Sequence, residues 1–147
     1  MASLLDVNVL VALAWPTHVH HEQAHGWLSR AGRRHGWATC PATQAGLVRV
    51  ISNPSFSPDA LTPREALAHL ERMISQPGHA FWPDDKPFVG SKFVAAEKLL
   101  GYRQVTDAHL LSIALRHGGA LVTFDRGARS LVPASLSADR AVHVLGA

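Results

Sequence analysis

The sequence predicts an α/β domain built on a parallel sheet. Short apolar segments at Ser3–Asp6, Gly36–Thr39, His79–Trp82, Ala120–Phe124 and Ala141–Leu145 alternate with longer segments of helical periodicity. Strands that alternate with helices pair in parallel through crossover connections. A length of 147 residues, with 47% apolar and 17% charged residues, is that of one ordinary globular domain with a full core. One domain over residues 1–147 is expected, with no repeat, low-complexity stretch or internal linker.

Ser3–Asp6 reads as a buried strand, and Val9–Ala14 as a short helix that must stop before Pro16. His18–Arg34 reads as a helix with Ala24, Trp27, Leu28 and Ala31 on one face. After the strand Gly36–Thr39, Pro41 opens a helix carrying Ala45, Leu47, Val48 and Ile51, closed by Ser52-Asn-Pro54. Residues Pro54–Pro63 lack periodicity and form a loop. Thr62-Pro-Arg-Glu65 combines an N-cap Thr, Pro at the first helical position and Glu at the third. The helix it starts turns Leu67, Leu70, Met73 and Ile74 inward and ends before Gln76-Pro-Gly78. His79–Trp82 is a third strand, followed by the turn Pro83–Pro87, where Asp84 and Asp85 are expected to be solvated. A helix is expected near Ser91–Leu100, stopped by Gly101. Another begins at Val105-Thr-Asp107 and runs through Leu110, Leu111, Ile113, Ala114 and Leu115 to Gly118-Gly119. Ala120–Phe124 is a strand with Asp125-Arg-Gly127 as its exit, and Ala141–Leu145 is the last strand.

No apolar run reaches the length of a membrane span. The N-terminus lacks the basic start and small-residue cleavage site of a secretory signal. A lone Cys40 cannot form an internal disulfide, so a reducing, cytoplasmic location is expected. The net charge of +3 rests on basic residues that are mostly Arg, with ten His beside them. Arg suits bidentate phosphate contacts, a pointer toward nucleic acid. Trp15, Trp27, Trp37 and Trp82 are read as core or dimer-interface residues.

The chemistry is expected at three acids. Asp6 ends the first strand, Asp125 follows the strand Ala120–Phe124, and Asp107 stands in the first turn of an apolar helix, where the helix dipole favours an anion. Open α/β sheets bind ligands beyond the carboxyl ends of their strands. Carboxylates gathered there repel one another, and a divalent cation relieves the repulsion. An all-oxygen site suits Mg²⁺ or Mn²⁺, which can activate water and neutralise charge building on a phosphodiester. Thr123, two residues before Asp125, is placed to orient a ligand or the attacking water.

Four segments, in order, carry a resemblance: Leu5-Asp-Val-Asn-Val-Leu10, Ala42-Thr-Gln-Ala-Gly-Leu-Val-Arg-Val50 with Ser52-Asn-Pro54, Val105-Thr-Asp-Ala-His-Leu110 and Leu121-Val-Thr-Phe-Asp-Arg126. Together they resemble the PIN-domain ribonucleases, specifically the VapC-type toxins of bacterial toxin–antitoxin pairs. The resemblance implies a three-layer α/β/α fold with sheet order 3-2-1-4-5 and a metal-dependent endoribonuclease acting on cellular, structured RNA. It also implies a homodimer silenced by a VapB-like antitoxin. The family's acidic positions fall on Asp6, Asp107 and Asp125. Where the family often has Glu, this chain has Gln44, which keeps an acceptor oxygen but loses a charge. That change should weaken a second metal more than the first.

Other readings compete. A PIN fold that binds RNA or protein without cleaving is the alternative class. His21-Glu-Gln-Ala-His25 matches the zinc-protease pattern, yet no further ligand motif follows it. A haloacid-dehalogenase phosphatase needs a second Asp two residues after the first, where this chain has Asn8. Arg126 and Arg129 are the candidates for gripping RNA phosphates at the acidic pocket. Arg49, inside an apolar helix, is expected to pair with an acid or contact the antitoxin. Glu97 is expected on an exposed face.

Overall fold

The computed structural model describes residues 1–146. Five short strands, β1 (Ser3–Leu5), β2 (Trp37–Thr39), β3 (His79–Phe81), β4 (Ala120–Thr123) and β5 (Val142–Val144), form one sheet of order β3-β2-β1-β4-β5. Every pairing is parallel, with Ser3 opposite both Trp37 and Ala120. β1 is central, and Leu4 and Leu5 are fully buried on opposite faces. That explains why its sequence is a continuous apolar run and not an alternating one.

Helices α1 (Val7–Ala14), α2 (His21–Trp27), α4 (Pro41–Ile51) and α5 (Pro63–Ile74) cover the face that holds Leu5 and Val122. Helices α6 (Val105–Arg116) and α7 (Ala138–Ala141) cover the face that holds Leu4 and Leu121. The result is the expected three-layer α/β/α arrangement in the expected strand order. The chain turns from the β2–β3 side of the sheet to the β4–β5 side between neighbours β1 and β4. The carboxyl ends of those two strands therefore flank the switch point where such sheets bind ligands.

Several local expectations need correction. Residues 91–100 contain only a 3₁₀ turn at Ala96–Lys98. An isolated helix of about ten residues is marginal in water. The turn instead sends the Lys98 ammonium to the Val132 carbonyl at 2.6 Å and Leu99 into the core. The helix expected over His18–Arg34 starts at His21 and is interrupted by a π segment at Leu28–Gly32, before α3 (Arg33–His35). Leu67 is 58% exposed. The α5 face that meets the core is carried by Ala66 and Leu70, four residues apart. Asp84 is not a solvated turn acid. It accepts from His109 Nε2 at 2.7 Å, and Arg116 Nη1 lies 3.7 Å from its other oxygen. This ties the turn after β3 to α6, where Trp82 also stacks on His117. Arg49 is exposed and makes no ion pair among the described residues. Trp27 and Trp37 are core residues, and Trp15 packs edge-on against Phe56. Among the described residues, no helix is long and apolar enough to cross a membrane.

Candidate active site at the carboxyl edge

Three acids stand at three helix starts. Asp6 leaves β1 with φ −61° and ψ 154° and N-caps α1, its Oδ1 accepting from Val7 N at 2.7 Å. An apolar strand running straight into an apolar helix leaves Asp6 as the one residue able to cap that helix. Asp125 N-caps the 3₁₀ turn Arg126–Leu131, its Oδ1 accepting from Gly127 N at 2.8 Å. Asp107 lies in the first turn of α6. Backbone amides at each start favour a negative charge there.

Thr123 joins two of them. Its fully buried hydroxyl donates to Asp6 Oδ2 at 2.8 Å and accepts from Asp125 N at 3.0 Å. One side chain thus fixes the free oxygen of Asp6 and the backbone of Asp125 together. Thr123→Val keeps the shape and strands both partners. It is expected to cost about 1–3 kcal/mol, read as a lower urea midpoint at unchanged slope.

The electrostatics are those of crowded carboxylates. Burial pushes the Asp6 carboxyl above its ordinary value, against the hydrogen bonds from Thr123 and Val7, and the charge of Asp125 adds to the push. Asp107 is pushed up to about 7, first by burial, then by a hydrogen bond with Asp125 and by the charges of Asp6 and Asp125. Crowding of like charges in a half-buried site thus favours the protonated form of Asp107. No Lys, Arg or His is ion-paired with any of the three among the described residues. Nor do three His, Cys, Asp or Glu side chains among these residues already surround a common ion position. The donor set itself fits a hard divalent cation, being oxygen-only, negative and without a protein cation to neutralise it. Such an ion would displace the proton that Asp107 otherwise retains.

Gln44 makes no hydrogen bond to the three acids among the described residues. Its amide donates to Thr39 Oγ1 at 3.0 Å, and Thr39 Oγ1 also meets His79 Nε2 at 2.8 Å. Thr39 ends β2 as Thr123 ends β4, and is equally buried. Sequence reasoning passed over Thr39 and His79, although a Thr at a second strand end was a readable signal. Arg126 is exposed and makes no ion pair among the described residues, whereas Arg129 is held by Asp139 at 2.5 Å. Arg126 is thus the freer of the two expected phosphate contacts. Glu97 is exposed, as expected.

Comparison with known proteins identifies the family. The model of the PIN domain family matches residues 3–132. Ribonuclease VapC39 of Mycobacterium tuberculosis (strain ATCC 25618 / H37Rv) is 49% identical over 125 residues, covering 85% of this chain and 89% of that protein. From the same organism and strain, Ribonuclease VapC38 is 47% identical, covering 88% and 89% of the two chains. Ribonuclease VapC44 is 43% identical, covering 86% and 87%.

Proposed function

The chain belongs to the PIN-domain family and, within it, to the VapC ribonucleases, and from that premise we propose that it is a toxin endoribonuclease that hydrolyses phosphodiester bonds in cellular RNA with Mg²⁺ or Mn²⁺. The observation that carries the reading is the convergence of Asp6, Asp107 and Asp125 at the switch point without a protein cation. Asp6 and Asp107 would hold the metal, with Asp125 acting through water. When bound, the ion would lower the pKa of a coordinated water and neutralise charge developing on the phosphate. Thr123 keeps Asp6 Oδ2 aimed and Asp125 in place. Asp125, the exposed member of the three, faces the solvent that supplies the attacking water. Arg126 beside it would bind an RNA phosphate, giving an affinity that falls with salt.

The same reading brings a small VapB-like antitoxin and a second copy of the chain as partners. Leu100 and Tyr102, 88% and 81% exposed just before α6, are apolar surface that such a contact would cover. RNA binding without cleavage is the competing reading, and the observation behind it is Gln44 in place of an acid. Replacing Gln44 by Glu is expected to tighten Mn²⁺ binding in a calorimetric titration. Thr39 can turn its hydroxyl to donate to the new carboxylate, so the fold should tolerate it. Unchanged affinity would place Gln44 outside the metal's surroundings. Mapping new 5′ ends of cellular RNA after brief expression tests the function itself. Discrete new ends are expected, and their absence alongside retained RNA binding would favour the non-cleaving module.

A further inference from the structure

The His-Glu-x-x-His segment at the start of α2 has no part in the acid cluster. His21 and His25 are four residues apart and share one helix face, with ring centroids 4.4 Å apart and planes at 60°. His21 Nδ1 lies 2.7 Å from the Ala12 carbonyl. A carbonyl only accepts, so Nδ1 carries the hydrogen and Nε2 keeps its lone pair. Metal-bound imidazoles are held this way, with the second nitrogen donating to a backbone carbonyl or carboxylate. His25 is exposed and can turn toward the same point. Two imidazoles on a tetrahedral ion with bonds of about 2.0 Å stand with ring centres on the order of 5 Å apart, so a small opening of the pair suffices.

The neighbouring histidines are otherwise engaged. His18 Nδ1 accepts from His20 N at 3.0 Å, which leaves its hydrogen on Nε2. His20 Nδ1 meets Gln23 Oε1 at 2.8 Å, and its ring stacks on Phe124. The site therefore has two protein ligands, in keeping with the absence of any three-ligand group among the described residues. Catalytic zinc needs three, so the segment does not form a zinc-protease site.

We propose that His21 and His25 form a two-imidazole site for a borderline divalent cation of the Zn²⁺, Ni²⁺ or Cu²⁺ class, separate from the carboxylate cluster. Imidazole donors select that class, and carboxylates select Mg²⁺ and Mn²⁺. The two sites lie at opposite ends of α1. Ala12 is six residues from Asp6, or about 9 Å along the helix. An ion on His21 would clamp the first turn of α2 against the last turn of α1.

Calorimetric titration of Zn²⁺ into the untagged full chain, held in saturating Mg²⁺, tests this. One Zn²⁺ per chain is expected. His25→Ala should weaken it by about tenfold or more, and His21→Gln, which retains a donor for Ala12, should weaken it similarly. Asp6→Asn should leave it unchanged. Failure to bind Zn²⁺, undiminished binding in His25→Ala, or loss of binding in Asp6→Asn would overturn the proposal.

Discussion

Asp6→Asn is expected to lower RNA cleavage by about a hundredfold or more, on the scale of losing one preorganised group that stabilises transition-state charge, and to abolish growth arrest on expression. The substitution is chosen for its local fit. Asn caps helices as well as Asp, so the Oδ1 contact with Val7 N can persist while the charge is lost, although the amide nitrogen that replaces Oδ2 no longer accepts from Thr123. The variant should stay folded and melt near the temperature of the metal-free wild type, because neutralising one of three mutually repelling carboxylates offsets the lost bond from Thr123. Cleavage assays and thermal melts on the same samples check both halves. Cleavage lost together with the fold would leave the loss unassigned to chemistry, and Thr123→Val, which retains all three acids, then separates positioning from charge.

The second large effect links pH, metal and stability. Asp107 sits at about 7 in the folded protein, against an ordinary value of 3.8. Between those two values the folded state binds the proton that the unfolded chain has released. This group's contribution is therefore fully present below about pH 4 and is lost as pH rises through about 7. Asp6, raised by burial, works in the same direction. His18, His69, His79 and His143 oppose it. Burial holds each below its ordinary value, so their contribution is lost as the solution turns acidic. The informative quantity is the difference between wild type and Asp107→Asn. Without metal, wild type should lose stability relative to the variant as pH rises from about 4 to about 7. Mn²⁺ should restore it, more at mildly alkaline pH than at acidic pH, because at acidic pH binding must displace the proton on Asp107. Denaturant melts across that pH range, with and without Mn²⁺, measure both.

What the sequence made legible was local. Asp6 and Asp125 each follow an apolar strand and cap the helix or turn after it, so adjacent residues announce them. Asp107 opens an apolar helix, and parallel alternation brings that helix start to the edge where the strands end. The strand order came through the family resemblance, since periodicity alone does not order a sheet. What stayed hidden depends on partners distant in sequence. Asp84 reads as a turn acid until His109 and Arg116, 25 and 32 positions on, are folded against it. Residues 91–100 have the composition of a helix, yet they contain only a 3₁₀ turn, held by the distant contacts of Lys98 with Val132 and of Leu99 with the core. The amide of Gln44 could have faced the acids or Thr39, and only the packed structure shows that it turns to Thr39.

The central claim is that Asp6, Asp107 and Asp125 together hold one catalytic cation. The most direct measurement is Mn²⁺ binding followed by electron paramagnetic resonance in wild type, Asp6→Asn, Asp107→Asn and Asp125→Asn. Wild type should bind Mn²⁺, Asp6→Asn and Asp107→Asn should lose it, and Asp125→Asn should weaken it. Equal binding in all four proteins would contradict the account.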